Sequence, residues 1–126
     1  MSKQYDFVAF GDIVVDAFIE LDKDHADVSE DMDTGRKTLH MPFGSKLPYS
    51  DVTVVNAVGN SPNAAVSAHR LGLETALVTN VGTDRYGKDC LDALRTEGVH
   101  TDYVKVHEGK GTNYHYVLRY GPERTI

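Results

Sequence analysis

Residues 51–72 read DVTVVNAVGNSPNAAVSAHRLG, and two periodicities meet inside them. DVTVVNAV is rich in β-branched residues and predicts a strand. NAAVSAHRL predicts a helix, which Gly72 ends as a glycine at the C′ position commonly does. Between the two, Ser61 and Pro62 form a helix-start signal. The serine suits the N-cap, and the proline suits the first helical position, where its missing N–H would be unpaired anyway. A strand that turns straight into a helix is the repeating unit of an α/β fold.

The pattern continues downstream. TALVTNV (75–81) predicts a buried strand, GTDRYG leads into a helix over KDCLDALRTE (88–97), and Gly98 closes that helix. Cys90, Leu91 and Leu94 recur at helical spacing, so Cys90 reads as a core residue and not as a nucleophile. YVKV (103–106) predicts a short strand. Strand–helix–strand–helix–strand implies parallel pairing.

Upstream, YDFVAF predicts a buried strand, and after Gly11 the strand character resumes in IVVDAFIEL. Ile13, Val15, Ala17, Ile19 and Leu21 share one face of that second strand; Asp12, Val14, Asp16, Phe18 and Glu20 share the other. Asp16 thus sits mid-strand among apolar neighbours, either as a solvated carboxylate or as a ligand group. TNYHYVLRY (112–120) also alternates. Thr112, Tyr114, Tyr116, Leu118 and Tyr120 share one face, while Asn113, His115, Val117 and Arg119 share a wetter one. KTLHMPF (37–43) predicts a short strand that Pro42 pushes towards a sheet edge. Segments 13–21, 37–43, 51–56 and 112–120 are expected to form a separate small antiparallel sheet.

Residues 22–35, DKDHADVSEDMDTG, are acidic and aperiodic and predict an exposed connection. Asp31-x-Asp33-x-Gly35 is faintly similar to a calcium loop, but Pro42 stands where the closing glutamate belongs. The six histidines show no metal-ligand spacing, so no metal site is expected. On the wetter strand face, His115 would meet either solvent or a substrate.

The 126 residues suffice for one domain with a real core. A formal net charge of −6 argues against a nucleic-acid footprint, which needs a basic face. A single cysteine excludes an internal disulfide framework. The N-terminus has no signal-peptide apolar region, and no apolar run approaches a membrane span. The expected class is cytoplasmic and soluble.

Gly59-Asn60-Ser61-Pro62-Asn63 admits three readings. It is a capped helix start, an anion site at a helix N-terminus, or a polyol site. Against an anion site, there is no Gly-x-Gly-x-x-Gly and no Walker lysine. For a polyol site, asparagine amides both donate and accept, glycine lets a ligand approach the backbone, and an aspartate such as Asp16 accepts from two adjacent hydroxyls.

The segment 58–104, VGNSPNAAVSAHRLGLETALVTNVGTDRYGKDCLDALRTEGVHTDYV, resembles the first signature region of the ribokinase-like (PfkB) carbohydrate kinases. The matching features are Gly59 to Asn63, Gly72, and the turn Val81-Gly82-Thr83-Asp84-Arg85-Tyr86-Gly87. FGDIVVDAF (10–18) resembles the family's first strand with its substrate-binding aspartate. GTNYHYVLRYGPERTI (111–126) resembles the lid strand and the turn after it. The acidic insert at about 22–36 has no counterpart, and Val58 stands where the family has Gly or Ala.

The resemblance implies the N-terminal part of a ribokinase-like three-layer α/β/α fold with a small β-sheet lid. The chain would be a single partial domain over 1–126, with lid segments at about 13–21, 37–56 and 112–120 and an acidic loop at 22–36. It implies substrate contacts from Asp16, Gly59, Asn60 and Asn63, with Tyr114 or Tyr116 closing over the ligand. It implies phosphorylation of a sugar or nucleoside hydroxyl by ATP and Mg²⁺ in a complete protein. The family's catalytic aspartate lies in a Gly-Ala-Gly-Asp motif that residues 1–126 do not contain, so the chain is expected to be a fragment that holds the acceptor without catalysing. The rival readings are a non-catalytic sugar-binding or dimerising module and a folded remnant with no ligand. Pairing of two copies through the lid or an uncovered sheet edge is expected.

Overall fold

The computed structural model describes residues 4–126, which divide into two compact units. The first comprises residues up to Asp16 together with Val54–His115; the second comprises Ala17–Thr53 and Tyr116–Ile126.

The first unit is built on a three-stranded parallel sheet. Its strands are β1 (Phe7–Phe10), β6 (Thr75–Gly82) and β7 (Val104–His107), in the order β1-β6-β7. The crossovers contain the helices α1 (Asn60–Arg70) and α2 (Arg85–Thr96). Parallel neighbours need such crossovers because their ends lie at opposite sides of the sheet. Ile13, Val15, Leu77, Val81, Cys90, Leu94 and Val99 form the core, with Ala9, Ala57 and Ala65 filling the close contacts. Burial pushes the Cys90 thiol up, so it is held protonated and inert in that core.

Both helices end as their glycines predict. At the end of α1 the Gly72 N–H donates to the His69 carbonyl and the Leu73 N–H to the Ala68 carbonyl. At the end of α2 the Gly98 N–H donates to Arg95 and the Val99 N–H to Leu94. Each is a Schellman motif, with the glycine at positive φ. Arg70 and Glu97 make a bidentate ion pair beside these two ends. At the other edge of the unit the Tyr5 hydroxyl donates to Asp102, which pushes the phenol up to about 12.

The start of α1 differs from the expectation. Gly59, not Ser61, is the N-cap, and the helix begins at Asn60. Ser61 turns its hydroxyl away from the helix and donates to the Phe10 carbonyl at the end of β1. Pro62, the third helical residue, is tolerated because the first N–H groups of a helix have no intrahelical partner.

The second unit holds most of a four-stranded sheet in the order β5-β2-β8-β9. The strands are β5 (Tyr49–Val58), β2 (Val14–Leu21), β8 (Tyr114–Tyr120) and β9 (Glu123–Thr125). Asp16 pairs with His115, and Glu20 with Arg119. Both strands therefore advance in the same direction, so β2 and β8 lie parallel and not antiparallel as expected. The alternation along β8 does not sort its faces either: Val117 is buried and Tyr116 is 63% exposed.

The acidic stretch contains a strand. β3 (Asp27–Glu30) pairs antiparallel with β4 (Lys37–His40). The Asp31 carboxylate accepts from the Asp33 and Thr34 amides, and its carbonyl accepts from Gly35 at positive φ. The residues that looked like a calcium loop make this hairpin turn. Nearly all of the hairpin is exposed, so it leaves no apolar alternation in the sequence.

Candidate functional site

The site is organised where strands leave the parallel sheet. At the end of β6, Gly82 gives way to Thr83 and Asp84, and Asp84 caps α2 by accepting from the Gly87 amide at 3.0 Å. Its carboxylate also accepts from the Thr112 amide at 3.0 Å and the Thr112 hydroxyl at 2.6 Å. The same hydroxyl accepts from the Gly82 amide at 2.9 Å. One aspartate and one threonine thus tie together the end of β6, the start of α2 and the approach to β8. Gly82 and Gly87 are glycines because a Cβ at either would collide with backbone carbonyls of Lys110 and Gly82, respectively. The Val-Gly-Thr-Asp-Arg-Tyr-Gly turn is a folding device here. Next to it the rings of Tyr86 and Tyr114 pack at 4.6 Å between centroids.

This knot delivers β8 to β2. The Val15 amide donates to the Asn113 carbonyl at 2.9 Å, and two residues further on His115 faces Asp16. The Asp16 side chain is 20% exposed and that of His115 43%. Asp16 Oδ1 is out of solvent and accepts no hydrogen bond among the described residues. The His115 Nδ1 stands 3.4 Å from it, within ion-pair reach but in a geometry that makes no hydrogen bond.

The glycine turn lies at the end of β5. Ala57 adopts φ +58° and Gly59 φ +124°. A Cβ on Gly59 would sit 2.9 Å from the Asp12 carbonyl oxygen, so only glycine fits against that backbone. Asn60 and Asn63 follow, exposed, on the first turn of α1. Asn63 borders a groove of about 450 Å³ with Val58, Val66, Arg70, Ala93 and Glu97, and Asp16 is not among its walls. Of the expected site residues, the structure brings Asp16 next to His115 and Gly59 against Asp12. It packs Tyr114 on Tyr86 and leaves Tyr116 in the second unit. Among the described residues, no group of three or more His, Cys, Asp or Glu side chains is arranged to hold a metal ion.

The model of the pfkB family carbohydrate kinases matches residues 29–126. The chain belongs to that family. It is 43% identical over 70 residues to a ribokinase of Bacillus subtilis (strain 168), an alignment covering 54% of this chain and 24% of that protein. It is 31% identical over 67 residues to a 2-dehydro-3-deoxygluconokinase of Thermoproteus tenax, covering 53% and 21%. The chain thus spans about a quarter or less of those relatives' length in the matched region.

Among solved structures, the ribokinase of Arabidopsis thaliana complexed with ribose and ATP superposes with a TM-score of 0.70 at 21% identity. It covers 94% of this chain and 33% of that one. A fructokinase of Halothermothrix orenii superposes at 0.55 with 27% identity, covering 88% and 32%. The fold is therefore the N-terminal part of a ribokinase-like kinase.

The knot makes a pH-dependent contribution to stability. The Thr112 hydroxyl, followed by backbone amides, holds the Asp84 carboxyl below its ordinary 3.8 despite partial desolvation. A depressed carboxyl stabilises the fold fully above its ordinary value and ceases to do so as pH falls through the lowered one. Asp84→Ala is expected to cost about 2–3 kcal/mol at neutral pH, from the lost cap and the charge-assisted hydrogen bonds. Urea unfolding at pH 7 and again below pH 3 measures this, and the gap between wild type and variant shrinks at the lower pH.

Proposed function

We propose that this chain supplies the acceptor-binding part of an ATP-dependent sugar or nucleoside kinase. The observation that carries the reading is the buried Oδ1 of Asp16, which accepts no hydrogen bond among the described residues, in a chain of the pfkB family. A carboxylate oxygen withdrawn from water without a donor is unfavourable unless a ligand completes it. A sugar hydroxyl is a suitable donor. Gly59 lets the chain turn against the Asp12 carbonyl, and Asn60 and Asn63 offer amide donors and acceptors on the first turn of α1. Tyr114 and Tyr116 are the aromatic groups of β8 that would flank the ligand once the rest of the protein is in place.

The transfer itself belongs to the complete protein. There an acceptor oxygen would bond to the γ-phosphorus of ATP as the bond to ADP breaks, its proton passing to a base outside residues 1–126. By this reading the Mg²⁺ that accompanies ATP is held outside residues 1–126, and no step is assigned to it in this chain. By this reading the fragment alone is inactive and acts in the cytoplasm, where ATP is available. The relatives' names include a ribokinase, a 2-dehydro-3-deoxygluconokinase and a fructosamine kinase, so the acceptor is a polyol whose identity the family does not fix.

A second reading, a dimerising module, is favoured by β5. It is an edge strand whose residues 49–55 are all exposed, among them Tyr49, Val52, Val54 and Val55. An apolar, unprotected edge invites pairing with a second copy.

Isothermal titration with ribose, fructose, adenosine and ketodeoxygluconate tests the first reading. One of them is expected to bind, and Asp16→Ala to abolish the heat. A folded chain that binds none would overturn it. For the second, light scattering is expected to show mass rising from one chain towards two with concentration, and Val52→Lys to return it to one.

A further inference from the structure

Tyr114 and Tyr116 are the aromatic candidates on β8, but the residue between them is the one that stands beside Asp16. His115 faces it across the parallel pair of β2 and β8, with Nδ1 3.4 Å from Oδ1. Cross-strand neighbours at this spacing form one surface. Three features mark this pair, and the first separates it from Glu20 and Arg119, which face each other at 3.5 Å on the same strands.

First, Asp16 Oδ1 is fully out of solvent, whereas a surface ion pair leaves its carboxylate wet. Second, the imidazole stands within ion-pair reach of that oxygen without a hydrogen bond to it, while the Asp16 side chain as a whole is 20% exposed. Third, the ring is itself 43% exposed and has a second nitrogen, so it can meet a ligand that also meets Asp16. The position is held rigidly, because the Val15–Asn113 hydrogen bond and the Asp84–Thr112 knot fix β8 just before His115.

We propose that His115 is a specificity-determining residue of the acceptor site, resting on the reading of Asp16 as a sugar-hydroxyl acceptor. The ligand it selects presents a hydroxyl that donates to the Asp16 carboxylate and, on the same or the adjacent carbon, an oxygen that takes a hydrogen bond from the imidazole. A vicinal diol or a hydroxyl next to a carbonyl meets both requirements. An isolated hydroxyl meets only the first. Tyr114, whose ring packs on Tyr86, is a supporting residue and not the principal contact.

The test uses the 126-residue chain and the same four probes, ribose, fructose, adenosine and ketodeoxygluconate. Affinity is read by calorimetry and the histidine rings by ¹H–¹⁵N NMR, with the unfolding midpoint of each variant as a control. In wild type, the ring signal absent from the His115 variants is expected to shift on adding the bound probe. His115→Ala is expected to weaken that probe about tenfold or more, as for loss of a hydrogen bond at a charged site, with its unfolding midpoint near that of wild type. His115→Gln, which puts an amide near where Nε2 stands, is expected to recover most of the affinity.

If a probe binds, Asp16→Ala abolishes it, and His115→Ala neither weakens it nor removes a shifting ring signal, the role of His115 is overturned while the sugar-binding reading stands. If no probe binds the folded chain, the sugar-binding reading fails, and the role of His115 fails with it.

Discussion

The Asp84 carboxylate is the constraint on which the first unit depends. It accepts from Gly87 and twice from Thr112, and the Thr112 hydroxyl in turn accepts from Gly82. The end of β6, the start of α2 and the approach to β8 therefore share one charge. Chain leaving a parallel sheet carries unpaired amides, and burying them without an acceptor is costly. Here a single side chain satisfies three donor groups at the point where β6 ends and β8 is set on its course. Gly82 and Gly87 permit the close approach, since neither position has room for a Cβ.

From that constraint the geometry of the site follows. Once Thr112 is fixed, Asn113 receives the Val15 amide and His115 arrives beside Asp16. On the other side, the Ser61 hydroxyl pins the start of α1 to the end of β1, and Gly59 lies against the Asp12 carbonyl. Rigid structural bonds thus surround a carboxylate oxygen left without one.

Much of this was legible in the sequence. The β-branched runs and the glycines after each helix placed the parallel strands and both Schellman endings, because those features depend on local chemistry. Asp16 was conspicuous as a carboxylate inside an apolar strand. The remainder depended on partners far along the chain. Ser61 reads as a cap until β1 offers its carbonyl, and Asp84 reads as a turn residue until Thr112 reaches it from 28 positions away. The hairpin in the acidic stretch is exposed on both faces, so no alternation announces it. The parallel direction of β2 and β8 departs from the antiparallel expectation because strand alternation says nothing about orientation. Val117 and Tyr116 reversed the expected burial for the same reason: the packing that decides it is tertiary.

Native-state hydrogen exchange in wild type and Asp84→Ala tests the dependence most directly. In wild type the Gly82, Gly87, Thr112 and Val15 amides are expected to exchange together, near the rate set by global unfolding. In the variant all four are expected to lose protection, including Val15, which Asp84 does not touch. If Val15 kept its protection while Thr112 opened, the pairing of β2 with β8 would stand without the knot, and the account would be contradicted.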